Sequence, residues 1–591
     1  MRKNEFGHLL SGTMLALVVA TPIYAAAGPD QIDSAARPVM PAAITPVTGS
    51  VGIPAVVEAH PDSIDTQIAD KLRAVITSGQ FDKRIDRAPE REAMAAFYAA
   101  RNYAPLWIAD GRLDARAKAV IAQLGNAEAD GLNPADYQVP AFGAVSGAEA
   151  LADADITLTY SALTYARHLA AGRIAPTRVL AEVDYGDHTP APTDILRKLA
   201  DAADAGAALE SFNPPHRGFL ALKAKLAELR SAATRREPIE RPAAKTSKGR
   251  RVDKAPAPVA TRQAEIDLVL ANMERWRWLP HDIGSTYVMV NVPDYSLKVV
   301  HDHQEQWHTK IVAGKPQTPT PLLTASMDNV LVNPSWHVPQ SIIKNELMPR
   351  YGRDPNIFAR MGLEVKRHPD GTLSVTQPPG AGNALGRIKF NFPNKFSVYL
   401  HDTPEKRLFA YDKRAFSHGC MRVENPTKFG EVMLHLTMNG PTPDAQQLSA
   451  LFGREERTFK LTDRPMVHLT YQTAFVDDAG KLQLREDIYG FDERIRTILH
   501  SDERRIADLA PPEDAKREQA NAQANQDILR RVERGEAPNA SEFFDHLPSA
   551  PLRSEQKHTL AHARPEPIAA TTGFHPDTAQ SPFPFLATFG R

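Results

Sequence analysis

The chain has 591 residues, 42% apolar and 24% charged, with a formal net charge of −1. That length holds several cores, about three to four domains at the usual domain size, and the near-neutral balance excludes a global electrostatic pull toward nucleic acid or anionic membrane. One cysteine, Cys420, excludes an internal disulfide, and 48 prolines imply long stretches outside any packed core.

Arg2 and Lys3 precede an apolar run from Leu9 to Ala20, and small residues follow at Ala25, Ala26 and Ala27. This is the pattern of a secretory signal peptide over 1–27, with an uncleaved membrane anchor as the alternative. Export also suits a protein that keeps one cysteine, because an oxidising compartment penalises spare thiols. Residues 28–62, rich in Pro, Ala and Val without period, read as a disordered leader. From 63 to 229 the apolar spacing is helical, with Met94, Phe97 and Tyr98, then Ala117 to Leu124 and Leu158 to Leu169, and an Asp110-Gly111 turn. The expectation is an all-helical domain. Between Arg230 and Lys254, nine Lys or Arg stand against three acids with Pro238 and Pro242, so 230–262 reads as a solvated basic linker.

Helical spacing returns at Ile266, Val269, Leu270, Met273 and Trp276, and Pro280 limits that helix. The period then becomes two. Tyr287 to Val292, Tyr295 to Val300 and Trp307 to Val312 predict strands, followed by Lys395 to Leu400, Met466 to Val476 and Lys481 to Leu484, the last two joined by a turn at Asp478-Ala479-Gly480. Residues 263–496 are therefore expected to form a mainly β domain. Pro349, Gly352, Pro355 and Gly362 break the β pattern after Ile342, and about 342–380 reads as a lid-like insertion over one face. Residues 497–591 read as a polar, largely disordered tail.

Cys420 stands in Ser417-His418-Gly419-Cys420-Met421-Arg422, with fifteen residues between His401 and Ser417. A free thiol is mostly protonated at neutral pH, so a nucleophilic cysteine needs a base within reach. His401 ends a strand-like run on a rigid edge, and Gly419 permits the sharp turn that places Cys420. Thr427 to Leu436 predicts a helix just beyond, so free backbone N–H groups lie near the thiol. Other chemistries are poorly served. His301 and His303 flank Asp302 at a hairpin tip, but no paired-cysteine or HExxH motif accompanies them. No glycine-rich phosphate loop occurs. A papain-like order would put the cysteine before the histidine.

The His401 to Arg422 motif resembles the signature of the L,D-transpeptidases, exported enzymes that remodel peptidoglycan. Supporting runs resemble the large periplasmic members: Asn272 to Arg277, Tyr287 to Pro293, Asn383 to Arg387, Tyr399 to Pro404 and Asp487 to Gly490. Tyr103 to Trp107 and Gly131 to Pro134 resemble their N-terminal scaffold domain. The basic linker stands where many large members carry a peptidoglycan-binding module. The resemblance implies a multidomain α+β protein, with a helical scaffold domain followed by a mainly β catalytic domain. It makes Cys420 the nucleophile and His401 the general base, held by a backbone carbonyl; Asp402, next to it on an extended strand, points to the other face. The amides of Gly419, Cys420 and Met421 would form an oxyanion hole, with Ser417 and His418 shaping the loop. Arg422 would pair with a stem-peptide carboxylate or brace the loop. Asn383, Gly386, Trp336 and Tyr399 become substrate-pocket candidates, with core packing the alternative for Trp336 and Tyr399. The implied partners are peptidoglycan stem peptides as donor and acceptor, with water or a wall-associated protein as alternative acceptors. No nucleic acid, metal or cofactor enters the scheme.

Overall fold

A computed structural model of the chain describes residues 63–508 apart from 80, 86, 143–145, 235–261 and 370. The expected signal peptide and leader, most of the linker, and the tail beyond 508 lie outside the described residues. Among the described residues, no helix is long and apolar enough to cross a membrane.

Helical spacing before the linker produces helices Ile64–Thr77, Ala88–Ala100, Ala115–Gly125, Ala148–Ala171, Pro192–Asp201, Ala205–Glu210 and Arg217–Thr234. Three of their starts are capped by side chains: Ser63, Asp114 and Asp204 accept hydrogen bonds from first-turn amides. The long helix Ala148–Ala171 is buried on most of its surface and brings Asp155 into the core. That carboxylate accepts from Tyr98 Oη at 2.6 Å and from the Trp107 amide at 2.9 Å, pinning the Tyr103 to Trp107 loop. The domain is not wholly helical, as the spacing implied. Ile108–Ala109 and Arg112–Leu113 form a small hairpin about the Asp110-Gly111 turn, and Val183–Asp184 leaves the helices to join the sheet of the next domain. Runs of two residues are too short to show a period.

That sheet has twelve strands. From one edge they run Arg457–Lys460, Asn329–Val332, Ile388–Asn391, Leu400–His401, Met421–Val423, Gln304–Gly314, Ser296–His301, Thr286–Asn291, Met466–Thr470, Leu322–Ser326 and Val183–Asp184, with Ala415–Ser417 beside Gln304–Gly314. Ile388, Phe390, Leu400, Met421 and Val423 point into one core. Helix Pro426–Thr437 covers them, its Phe429 ring 4.3 Å from Phe390 between centroids.

Two predicted strands and the insertion differ. Only Leu400–His401 survives from the run beginning at Lys395, because Asn394 folds the preceding residues into a turn: its Oδ1 accepts from the Phe396 and Val398 amides. The run from Met466 to Val476 splits after Thr470, and Ala474–Val476 pairs instead with Leu482–Leu484. The split follows from Thr473, whose amide donates to Asn272 Oδ1 at 2.9 Å. The insertion contains β structure too, since Glu364–Arg367 and Leu373–Gln377 form a three-stranded sheet with Trp336–His337. It has its own core of Trp336, Val338, Ile343, Leu347, Phe358, Val375 and Leu385, and so begins near Trp336 rather than at 342.

The helical and β domains are joined by buried polar contacts. Glu274 accepts from the Ile174 amide at 2.6 Å, and Trp278 Nε1 donates to the Ile174 carbonyl at 2.9 Å. Tyr185 Oη donates to the Leu469 carbonyl at 2.8 Å. Within the β domain, Arg275 of the same run pairs with Asp492 at 2.6 Å. The Asn272 to Arg277 run is thus a joint between domains. Residues 497–508, expected in the tail, also belong to the folded body. Ile498 and Ala507 are fully buried, and Asp508 pairs with Arg167 at 2.6 Å; the polar composition of this stretch hides its two apolar anchors. Glu274→Ala removes the acceptor for a buried amide and leaves Arg277 without its carboxylate, so we predict a loss of about 3 kcal/mol, read as a lowered urea midpoint.

Candidate active site

The site follows from strand register. Leu400–His401 runs parallel to Met421–Val423, with Leu400 opposite Met421 and His401 opposite Arg422. Leu400 and Met421 point into the core. Alternation along each strand therefore turns Tyr399, His401, Cys420 and Arg422 to the other face. Ile388–Asn391 adds Lys389 to the same face, directly opposite His401. The Tyr399 and His401 rings are 5.7 Å apart between centroids.

Cys420 is half-buried and sits at the end of a tightly held loop. Gly419 adopts φ +114°, a left-handed conformation that L side chains avoid. Ser417 Oγ donates to the Cys420 carbonyl at 2.5 Å and accepts from the Gly419 amide at 3.2 Å. Thr320 Oγ1 donates to the Gly419 carbonyl at 2.8 Å, and the Lys315 amide donates to the Ser417 carbonyl at 3.0 Å. The expected oxyanion set changes accordingly. The Met421 amide is engaged by the Tyr399 carbonyl at 3.2 Å and the Gly419 amide by Ser417. The Cys420 amide alone of the three has no internal hydrogen bond among the described residues.

His401 is buried, and its Nδ1 lies 2.5 Å from the Asp402 carbonyl. A carbonyl only accepts, so Nδ1 carries the proton and Nε2 is left as the base nitrogen. The Asp402 carboxylate turns away, accepting from the Arg387 and Thr403 amides and from Lys406. Burial drives the His401 pKa down to about 3, reinforced by the Arg422 charge and opposed by hydrogen bonds to the Asp402 and Leu385 backbone. Burial likewise pushes the Cys420 thiol up, against hydrogen bonds from the Tyr399 backbone and side chain and the charges of Lys389 and Arg422. At rest the pair is a neutral thiol and a neutral imidazole. The thiol's hydrogen bonds run to Tyr399, while His401 shares its face.

Of the substrate-pocket candidates, Tyr399 reaches the thiol and Trp336 reaches Tyr399. Tyr399 is hydrogen-bonded to both Trp336 and Cys420 and packs against the insertion's core. Asn383 is buried, its Nδ2 donating to the Pro334, Gln377 and Pro378 carbonyls, and it staples the insertion. Gly386, at φ +63°, makes room for Asp402: a Cβ there would lie 2.4 Å from that carboxylate. Arg422 is buried and pairs with Glu405 at 2.7 Å. This is the geometry of the bracing alternative. His418 extends to the insertion, with Nε2 2.6 Å from Glu346 Oε1 and 3.2 Å from Lys315 Nζ. Sequence reasoning missed Thr320, Glu405, Glu346 and Lys389; each is an ordinary polar residue whose partner is distant in the chain.

Residues 285–447 match the family model described as the L,D-transpeptidase catalytic domain, and residues 92–226 match a scaffold domain. The chain thus carries an L,D-transpeptidase catalytic domain behind a helical scaffold domain. A curated protein of Haemophilus influenzae, provisionally named an L,D-transpeptidase, is 27% identical over 252 residues, 40% of this chain and 50% of its own length. The chain spans half the length of that relative. Among solved structures, an Enterococcus faecium L,D-transpeptidase mutant is 16% identical over 32% of this chain and 52% of its own, with TM-score 0.16. An L,D-transpeptidase from Mycobacterium smegmatis is 13% identical over 32% and 58%, with TM-score 0.17.

Arg422→Ala strands the buried Glu405 carboxylate, so we predict about 3 kcal/mol of destabilisation in urea unfolding; a variant of unchanged stability with only a raised KM would return Arg422 to substrate binding. Because the imidazole stays neutral down to about pH 3, acylation of Cys420 by a carbapenem, followed by intact mass, should keep its rate as pH falls past 6 for as long as the protein stays folded. A fall centred on the ordinary imidazole value, about 6.5, contradicts this.

Proposed function

We propose that the chain is a peptidoglycan L,D-transpeptidase that forms 3–3 cross-links through a thioester on Cys420. The observation that carries this reading is the common face of Cys420, His401 and Tyr399, set by two-residue strand pairing next to a glycine-turned loop. His401 takes the thiol proton on Nε2 as Sγ attacks the L,D amide carbonyl that follows the third residue of a stem tetrapeptide. The S–C bond forms, the C–N bond breaks, and the terminal D-alanine leaves with the proton returned by His401. The side-chain amine of a second stem peptide attacks the thioester, loses a proton to His401, and releases Sγ. The Cys420 amide and the Tyr399 hydroxyl are the donors suited to the oxyanion.

Water as the acceptor would make the same site an L,D-carboxypeptidase, and a protein amine would make it an attachment enzyme. The insertion supports a lid role, because it reaches the nucleophile loop through Glu346 and His418. The basic, apolar and small-residue stretch at 1–27 supports export to the periplasm, where the substrate lies.

Muropeptide analysis with purified tetrapeptide donors tests the reading. Cross-linked dimers lost in Cys420→Ala support it, tripeptide alone means hydrolysis, and turnover that survives the substitution defeats the thioester scheme.

A further inference from the structure

One cation at the site is unused by the acyl-transfer scheme. Lys389 lies between Ile388 and Phe390, which enter the core, so its side chain leaves on the face of His401, Tyr399 and Cys420. Its Nζ sits 4.0 Å from the centroid of the Tyr399 ring, the same ring whose hydroxyl is hydrogen-bonded to the thiol. It is half-buried, and among the described residues it forms no ion pair. The neighbouring charges are otherwise matched. Arg422 pairs with Glu405, Lys406 with Asp402, and His418 with Glu346 beside Lys315. Glu456, the remaining acid whose charge acts on Lys389, accepts from the Ser335 amide.

A partly buried ammonium without a counter-ion is costly unless an anion arises beside it. The anion that arises on this face is the thiolate. We infer that Lys389 is a positioning residue for the nucleophile: its ammonium, seated on the Tyr399 ring, stabilises the Cys420 thiolate formed when the Sγ proton passes to His401 Nε2. Lys389 keeps its own proton throughout. The same charge disfavours the imidazolium opposite it, so His401 is driven to give the proton on to the leaving amine. Burial pushes Cys420 up and the Lys389 charge pulls it back, consistent with this role. Seating on an aromatic face holds the ammonium without neutralising it.

The inference rests on Cys420 as the nucleophile but not on the acceptor. Its test is the pH profile of Cys420 alkylation by iodoacetamide, a neutral reagent, together with the ultraviolet absorbance of the thiolate taken as the difference from Cys420→Ser. Lys389→Met should raise the apparent thiol pKa by about one unit, slowing alkylation at neutral pH roughly tenfold, and Lys389→Arg should restore most of the rate. Lys389→Gln serves if the methionine variant loses the native melting transition. Superimposable wild-type and Lys389→Met profiles overturn the inference. So does an unchanged profile with a raised KM for tetrapeptide, which would assign the ammonium to a substrate carboxylate. A Lys389-dependent profile in a protein that yields no dimers would keep this inference and defeat the transpeptidase reading.

Discussion

The short parallel pairing of Leu400–His401 with Met421–Val423 is the constraint on which the site depends. Its register sets Tyr399 beside Cys420 and His401 beside Arg422, and the pleat then divides the residues by face. Leu400, Met421 and Val423 anchor the pair in a fully buried core. Their burial fixes the register, because a slip of one residue would turn the thiol and the imidazole into that core. Two strands of two or three residues could not hold such a register alone. The neighbouring strands Ile388–Asn391 and Gln304–Gly314 hold it from both sides.

Burial is also what sets the chemistry of the pair. It raises the thiol and lowers the imidazole, so neither carries charge at rest. In the proposed acyl transfer the imidazole is then free to accept a proton, while the thiolate has to be made when it is needed. Hydrogen bonds from Tyr399 and the nearby cations offset part of that cost. Rigidity comes from farther away. The scaffold domain contributes an edge strand, and Glu274 and Trp278 tie it to the β domain with buried polar contacts. The insertion closes on the same face through Trp336 and Glu346.

Much of this was legible in the sequence where chemistry and period coincide. The His401 to Arg422 spacing announces a thiol and an imidazole brought onto adjacent strands, and 3.6-residue spacing announces the scaffold helices. What stayed hidden depends on partners remote in the chain. Lys389 reads as any polar residue until the register puts it opposite His401. Arg422 looks like a substrate ligand because Glu405, its buried partner, lies seventeen residues earlier. Asn383 looks like a pocket residue, but its amide donates to the Gln377 and Pro378 carbonyls and to that of the remote Pro334. The strand expected from Lys395 fails because the Asn394 side chain competes for its amides. Residues 497–508 fold because Ile498 and Ala507 are buried, which a polar average conceals.

The central claim is that Cys420 carries the acyl group between donor and acceptor. Intact-protein mass spectrometry after rapid mixing with a stem tetrapeptide, without acceptor, tests it most directly. The account predicts a covalent adduct of the acyl tripeptide, with D-alanine lost, on Cys420 in the wild type and none in Cys420→Ala. An adduct on another residue, or D-alanine release by Cys420→Ala at the wild-type rate, would contradict it.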